Sequence, residues 1–187
     1  MFTKARRKTC SAKQRYSGDM SARKLPGLPP YGNGAKNFPK ADAFSEGLVV
    51  EFTSAGGERW VGNFATGSRS LECIRDDLGG GVVLVVAGGD VYLVDSEKQQ
   101  VILELPWVTE VRFEPDLGLF VIADNCEVTA LGRSGLKWRS RRVSWDGISE
   151  LKRIGRSLHG LAYDIHDQPP VPFIIDLETG QATGGSY

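Results

Sequence analysis

His159 and His166 are the only histidines of this 187-residue chain, and aspartates lie near them in the sequence. Residues two apart on a β-strand share a face, so Asp164 and His166 can point the same way. Such a pair could serve acid/base chemistry or, with Asp167 or Glu178 as a third ligand, hold a metal ion. The segment around His166 is also typical of a loop with ordinary polar residues. A hydrolase or metal enzyme that uses these residues is therefore one hypothesis, set against a purely structural role.

Other reactive side chains lack the neighbours that catalysis needs. Cys73 and Cys126 fall in strand-like runs, where a cysteine is usually a small buried hydrophobe. Gly79-Gly80-Gly81 precedes a strand-like run, whereas a phosphate-binding glycine loop precedes a helix, so we expect a turn. Aspartates in turns hydrogen-bond their own backbone. We expect that role for the acidic residues Asp76, Asp77, Glu114, Asp116, Asp164, Asp167 and Asp176. We expect no cofactor.

The segment KWRSRRVSW, residues 137–145, combines basic and aromatic side chains. On a strand, Lys137, Arg139 and Arg141 face one way, and Trp138, Ser140 and Arg142 face the other. Basic residues interleaved with aromatic residues can bind phosphates and stack on bases. The alternative is an exposed strand whose charges prevent aggregation, with Trp138 or Trp145 in the core. As candidate binding residues we select Trp107, Lys137, Trp138, Arg139, Arg141 and Arg142.

The net charge of zero hides two regions of opposite charge. Residues 1–40 contain ten Lys/Arg and one acid, whereas residues 41–187 contain thirteen Lys/Arg and twenty-two acids. The first region includes LPGLPPYGNG (25–34) and has few regularly spaced apolar residues, which is typical of a disordered tail. A targeting segment, a nucleic-acid-binding arm or a misassigned start would have a similar composition. We therefore predict a basic tail over 1–40 and a folded domain over 41–187.

The cysteines and the apolar runs bear on the compartment. Three cysteines lie far apart and in odd number, which favours reduced thiols in a cytoplasmic protein. The longest apolar run, Val82 to Ala87, has the length of a strand and is too short to span a membrane. We therefore expect no membrane partner.

Short β-strands separated by Gly/Asp turns recur about every 40 residues over residues 70–187. Three copies begin near Ser70, Val108 and Ile148, and each can be divided into four strands of four to eight residues. Residues 48–64, with LVVEF, a glycine turn and RWVGNF, read as a separate hairpin. The sequence predicts an all-β fold of three four-stranded antiparallel repeats plus an N-terminal hairpin.

This repeat pattern resembles the blades of β-propellers, such as the WD40 and pyrroloquinoline-quinone-type families. The resemblance implies a partial propeller or a stack of sheets, and it allows two chains to pair and complete a ring. The stretch SWDGI…GLAYD…PFIIDLETG…GGSY also resembles small bacterial proteins of no established activity.

Rigid β-repeats present loops and strands for recognition, so the first hypothesis for function is a non-catalytic protein-interaction module. The second is a nucleic-acid-binding protein that uses the basic residues 1–40. The third is the hydrolase or metal enzyme built on His159 and His166.

Overall fold

The computed structural model describes residues 21–31, 34–39, 45–164 and 169–187. These residues form strands and no helix, so the predicted all-β class is confirmed. The strands make four sheets of four strands each. The chain divides into two compact units, Met1–Pro106 and Trp107–Tyr187, here called unit 1 and unit 2.

The first sheet surrounds the hairpin that the sequence predicted. It contains β1 (Ala22–Lys24), β2 (Lys36–Phe38), β3 (Leu48–Thr53) and β4 (Arg59–Phe64), in the spatial order β1-β3-β4-β2. The strands β3 and β4 form the antiparallel hairpin, β1 adds antiparallel to β3, and β2 adds parallel to β4. The sequence did not predict β1 and β2, which fall inside the segment assigned to a tail. Residues 1–20 lie outside the described residues, so the tail stays a prediction there.

The second sheet is an antiparallel meander, as predicted. It contains β5 (Cys73–Arg75), β6 (Val82–Ala87), β7 (Asp90–Asp95) and β8 (Gln100–Leu105). All six residues of β6 are buried, which agrees with their apolar character on both faces. The three glycines at 79–81 have positive φ angles and lie in the connection between β5 and β6, as the predicted turn requires.

The third and fourth sheets repeat this meander. The third contains β9 (Glu110–Glu114), β10 (Leu119–Ala123), β11 (Val128–Gly132) and β12 (Gly135–Arg139). The fourth contains β13 (Gly147–Ile154), β14 (Ser157–Tyr163), β15 (Val171–Asp176) and β16 (Ala182–Gly184). The first strands of sheets two to four begin at residues 73, 110 and 147, which is 37 residues apart in both steps. The predicted threefold repeat is confirmed, with a slightly shorter period.

Two sheets pack face to face in each unit. In unit 1, aromatic rings fill the space between the first and second sheets: Phe52 stacks on Trp60 with centroids 4.3 Å apart, and Phe64 lies 5.2 Å from Tyr92. In unit 2, Val121, Val128, Ala130 and Trp138 of the third sheet meet residues of the fourth sheet in one core. The fourth-sheet residues are Leu158, Ala162, Phe173 and Ile175.

Candidate protein-interaction surface

The segment after β12 is held in place by its buried residues. Val143 and Ser144 are fully buried, and the Val143 N–H donates to the carbonyl of Cys126 at 2.9 Å. The Ser144 hydroxyl oxygen accepts from the N–H groups of Gly147 and Tyr163 at 3.2 and 3.1 Å. These bonds fix the backbone on both sides of Val143 and Ser144. The exposed side chains beside them therefore project from a rigid segment.

Arg142 and Trp145 form a stacked pair on this rigid segment. The Arg142 guanidinium lies 4.1 Å from the centroid of the Trp145 ring, and 47% of Trp145 is exposed. Arg142 Nε donates to the Ser144 carbonyl at 3.0 Å, and its Nη2 lies 3.4 Å from Cys126 Sγ. An exposed cation–π pair of this kind contributes about 0.5–1 kcal/mol and limits the motion of both side chains.

Arg141 forms a second stacked pair, and its role is to hold the last residues of the chain in place. Its guanidinium lies 4.3 Å from the centroid of the Tyr187 ring, which is 60% exposed. Its Nε donates to the carbonyl of Ala182 at 3.1 Å, and its Nη2 donates to the carbonyl of Gly184 at 2.9 Å. These two carbonyls belong to the edge strand β16, so Arg141 caps that edge and holds the last residues against the segment after β12. We call Arg141, Arg142, Trp145 and Tyr187 the Arg–aromatic surface.

The other predicted binding residues lie in different environments. Trp138 is 7% exposed and lies in the core of unit 2, where its indole N–H donates to the carbonyl of Leu177 at 2.9 Å. Gly180 packs on the indole ring, and a Cβ there would lie 2.8 Å from it. Lys137 and Arg139 are exposed on β12, and Trp107 is 62% exposed where unit 2 begins.

Sequence reasoning missed Trp145 and Tyr187 as partners of the two arginines. Trp145 follows Arg142 by three residues, a spacing that could have suggested contact. Tyr187 lies 46 positions after Arg141, and only the path of β16 brings it close. Trp138 and Ser140 share the buried side of the segment, whereas Arg142, which the alternation placed with them, is exposed.

A charged network joins the two sheets of unit 2. Arg153 on β13 donates to Glu114 at 2.9 Å and to Asp116 at 2.6 Å, and the hydrogen bond to Asp116 holds the pKa of that carboxyl below its ordinary value. The hydrogen bond to Asp116, followed by the one to Glu114, raises the pKa of Arg153. Arg112 donates to the carbonyl of Leu151 at 2.5 Å. Burial raises the pKa of Glu110, although Arg112 opposes the shift.

The predicted acid/base site is described only in part. His159 lies on β14, half-buried, opposite Lys152 on one neighbouring strand and Ile174 on the other. His166 and Asp167 lie outside the described residues. Within the part of the chain that the structure describes, no three His, Cys, Asp or Glu side chains are grouped to hold a metal ion. The hypothesis of an enzyme therefore stays a prediction.

Basic residues from the predicted tail also contribute to unit 1. Arg23 pairs with Glu51 at 2.8 Å and Lys24 with Glu72 at 2.5 Å. The N–H of Ser21 donates to Asp76 at 3.2 Å, and the Lys36 ammonium lies 6.0 Å from the centroid of Trp60. The opposite charges of the two regions are thus partly neutralised where β1 joins the first sheet.

No helix in the described ranges is long and apolar enough to cross a lipid bilayer. The cytoplasmic location and the bacterial origin that the sequence suggested stay predictions.

Comparisons with known proteins give only distant likenesses. No protein-family model matches the chain, and no curated protein matches it. The WD40 domain of Pan2 from Neurospora crassa is 16% identical, with 74% of this chain and 48% of that chain covered and a TM-score of 0.37. The N-terminal domain of Nup159 is 14% identical over 65% and 35% of the two chains, with a TM-score of 0.38.

A eukaryotic initiation factor is 10% identical over 76% of this chain and 40% of that chain, with a TM-score of 0.40. The chain thus covers less than half the length of each of these three proteins. The fold as described rests on the strands and their pairing, and the propeller resemblance stays a prediction.

Proposed function

We propose that this chain is a non-catalytic protein-interaction module that binds an acidic segment of a partner protein through the Arg–aromatic surface. The observation that carries the proposal is the exposed Arg142 guanidinium, stacked on an exposed Trp145 and fixed by the backbone. Arginine and tryptophan are the side chains most enriched at the energetic centres of protein interfaces.

Arg142 keeps donors for a partner. A guanidinium has five N–H groups. Among the residues that the structure describes, one of the Arg142 donors goes to the Ser144 carbonyl and one to Cys126 Sγ, which leaves three. Those three lie on the two terminal nitrogens, which is the arrangement that binds a carboxylate in a bidentate manner. A partner aspartate or glutamate fits this site.

Arg141 contributes to the surface by positioning other residues. Three of its donors are used by the carbonyls of Ala182, Arg142 and Gly184. Its role is to hold Tyr187 beside the segment that carries Arg142, so that a second exposed ring is available. Lys137 on β12 adds a positive charge before this segment, while Arg139 lies 3.8 Å from Glu127. Positive charge over several residues favours acidic partners and speeds their association.

The chemistry of the surface suits recognition. Arginine stays protonated at all pH values that proteins tolerate, so neither guanidinium can act as a general base. Stacked rings supply apolar contact area at a low cost in conformational entropy. Both properties are those of a binding surface.

The test is capture of a partner from native lysate by the full chain. We expect a stoichiometric partner with the original protein and at least a tenfold weaker affinity with Arg142→Gln, because a central charged hydrogen bond at an interface is worth about 2 kcal/mol or more. Arg156→Gln is the matched control, since Arg156 is an exposed arginine that pairs with Glu178. Equal capture by Arg142→Gln, or no stoichiometric partner, would contradict the proposal.

A second candidate function is binding of nucleic acid through the first residues. Residues 1–20 contain six Lys/Arg and one acid. Among the other basic residues of the segment, Arg23 and Lys24 are already paired within unit 1. Deletion of residues 1–20 spares β1 and should remove salt-dependent retention on a heparin column. Unchanged retention would exclude these residues as the binder.

A further inference from the structure

The fourth sheet has one covered face and one open face. On β14 and β15, residues that point to the third sheet are buried, such as Leu158, Ala162, Phe173 and Ile175. The residues between them are exposed or half-buried. The alternation shows that, within the described residues, nothing comparable covers the other side of this sheet.

The open face is apolar at its centre. Strand pairing places Leu161 beside Pro172 and His159 beside Ile174, and 41% of Ile174 is exposed. Tyr163 follows on the same face of β14, where its hydroxyl lies 3.1 Å from Ser149. Lys152 and Thr183 flank His159 and Ile174 on the two outer strands. Toward the other end of the face, the residues are Ile154, Ser157 and Asp176.

The face of the first sheet that points away from the core of unit 1 differs from the open face. Arg23 and Glu51 form an ion pair there, and the Asn63 side chain donates to Asn37 at 2.8 Å. Val49 and Asn63 pair on this face and are only 2% and 3% exposed, whereas Ile174 on the open face is 41% exposed. The exposed apolar centre is therefore a feature of the fourth sheet that the described residues of the first sheet do not share.

The strand edges are less suited to pairing than this face. The pairings of β8, β12 and β13 with their neighbours each contain a register shift. Bulges of this kind bend an edge strand and oppose edge-to-edge association. The Arg141 guanidinium caps β16. A partner of the fourth sheet is therefore expected to bind its open face and not its edges.

We propose that this open face is the interface of a homodimer, in which the fourth sheets of two copies pack face to face. A two-fold axis parallel to the strands, between β14 and β15, sets Leu161 of one copy against Pro172 of the other. It also sets Lys152 against Thr183. Because no charged side chain meets a like charge in this arrangement, the face complements itself, as an isologous interface must.

The Arg–aromatic surface and the open face differ in charge, so they favour different partners. The Arg–aromatic surface is positive and would repel its own copy, so it suits an acidic foreign protein. The paired residues of the open face include one lysine and one aspartate, and Glu150 is exposed beside them at the register shift of β13. These few charges of mixed sign do little to steer a foreign partner. The homodimer is independent of the proposed function, since it uses different residues.

The size of the face predicts a weak dimer. A stable standard interface uses about 20–30 residues on each side, and one face of a four-stranded sheet supplies about half of that number. We therefore expect dissociation in the micromolar range, so that the dimer fraction changes with protein concentration.

The first test is the solution mass of the full chain by sedimentation, over about 1–500 µM, which brackets the affinity expected for a small interface. Ile174→Lys places a charge at the centre of the face and should weaken the dimer at least about tenfold. Leu136→Lys is the control, because Leu136 is a similarly exposed apolar residue on β12. A monomer at every concentration, or equal weakening by both variants, would overturn the proposal.

The second test compares a negative and a positive side chain at position 183. Thr183 is exposed, so its substitution leaves the fold intact, and only the dimer brings it close to Lys152. Thr183→Glu should tighten the dimer and Thr183→Lys should loosen it. Each effect should be about two- to thirtyfold, because two symmetric surface pairs contribute. Equal effects of both variants would contradict this two-fold axis.

Discussion

Unit 1 and unit 2 are built alike, from two four-stranded sheets packed face to face, but different side chains join the sheets. In unit 1, stacked rings such as Phe52 and Trp60 fill the interior, and the ion pairs Arg23–Glu51 and Lys24–Glu72 lie at the surface. In unit 2, the core is mainly aliphatic around Trp138, and Arg153 adds an ionic connection to Glu114, which is 6% exposed.

The difference shows how a repeated fold can take on separate tasks. In unit 1, Arg23 and Lys24 of β1 are already paired with Glu51 and Glu72. Unit 2 has arginines beyond those that join its sheets, and it has the apolar open face. We therefore expect recognition to depend mainly on unit 2.

The largest expected effect tests the aromatic interior of unit 1. Phe52 is fully buried against Trp60, so Phe52→Ala should lower the free energy of unfolding by about 3–5 kcal/mol. Thr53→Ala, on the exposed side of the same strand, should change it by less than about 0.5 kcal/mol. Chemical denaturation measures both, and similar losses for the two variants would show that the rings are not the main support of unit 1.

A smaller effect tests the ionic connection of unit 2. Arg153→Met leaves the buried Glu114 with only Arg112 nearby, and we expect a loss of about 2–3 kcal/mol. Arg156→Met removes an exposed pair with Glu178 and should cost less than about 1 kcal/mol. If the two variants lose equal stability, the network does not hold the sheets together.

The smallest effect concerns pH. Burial raises the pKa of Glu110 above its ordinary value of 4.5, so its ionised form costs stability at neutral pH. Glu110→Gln should raise the denaturation midpoint at pH 7, by less than Arg153→Met lowers it. The gain should vanish as the pH falls through the raised pKa to below 4.5, where the carboxyl is protonated in both states. A loss at pH 7 would mean that attraction to Arg112 outweighs burial.

Much of the fold could be predicted from the sequence, because β-branched runs such as Val82–Ala87 lie between turn residues. The strands β1 and β2 could not, since each has three residues and depends on pairing with β3 and β4. Such pairing is a long-range contact with no local pattern. The parallel arrangement of β2 and β4 has the same cause.

The binding surface was predictable only in part. The basic and aromatic composition of residues 137–145 indicated the segment that we now propose as part of the binding surface, and the alternative interpretation placed Trp138 or Trp145 in the core. The different roles of Arg141 and Arg142 depend on carbonyls and rings brought there by the fold. Ala182 and Gly184, which bind Arg141, are more than 40 positions away from it.

The central claim is that Arg142 and Trp145 receive an acidic partner. The direct test is a titration of isotope-labelled full chain with poly-L-glutamate, followed by nuclear magnetic resonance of the arginine Nε–H and indole N–H groups. We predict saturable shifts of Arg142 and Trp145, which Arg142→Gln abolishes and Arg156→Gln retains. Shifts confined to residues 1–20 or to unit 1, with Arg142 and Trp145 unchanged, would contradict the claim.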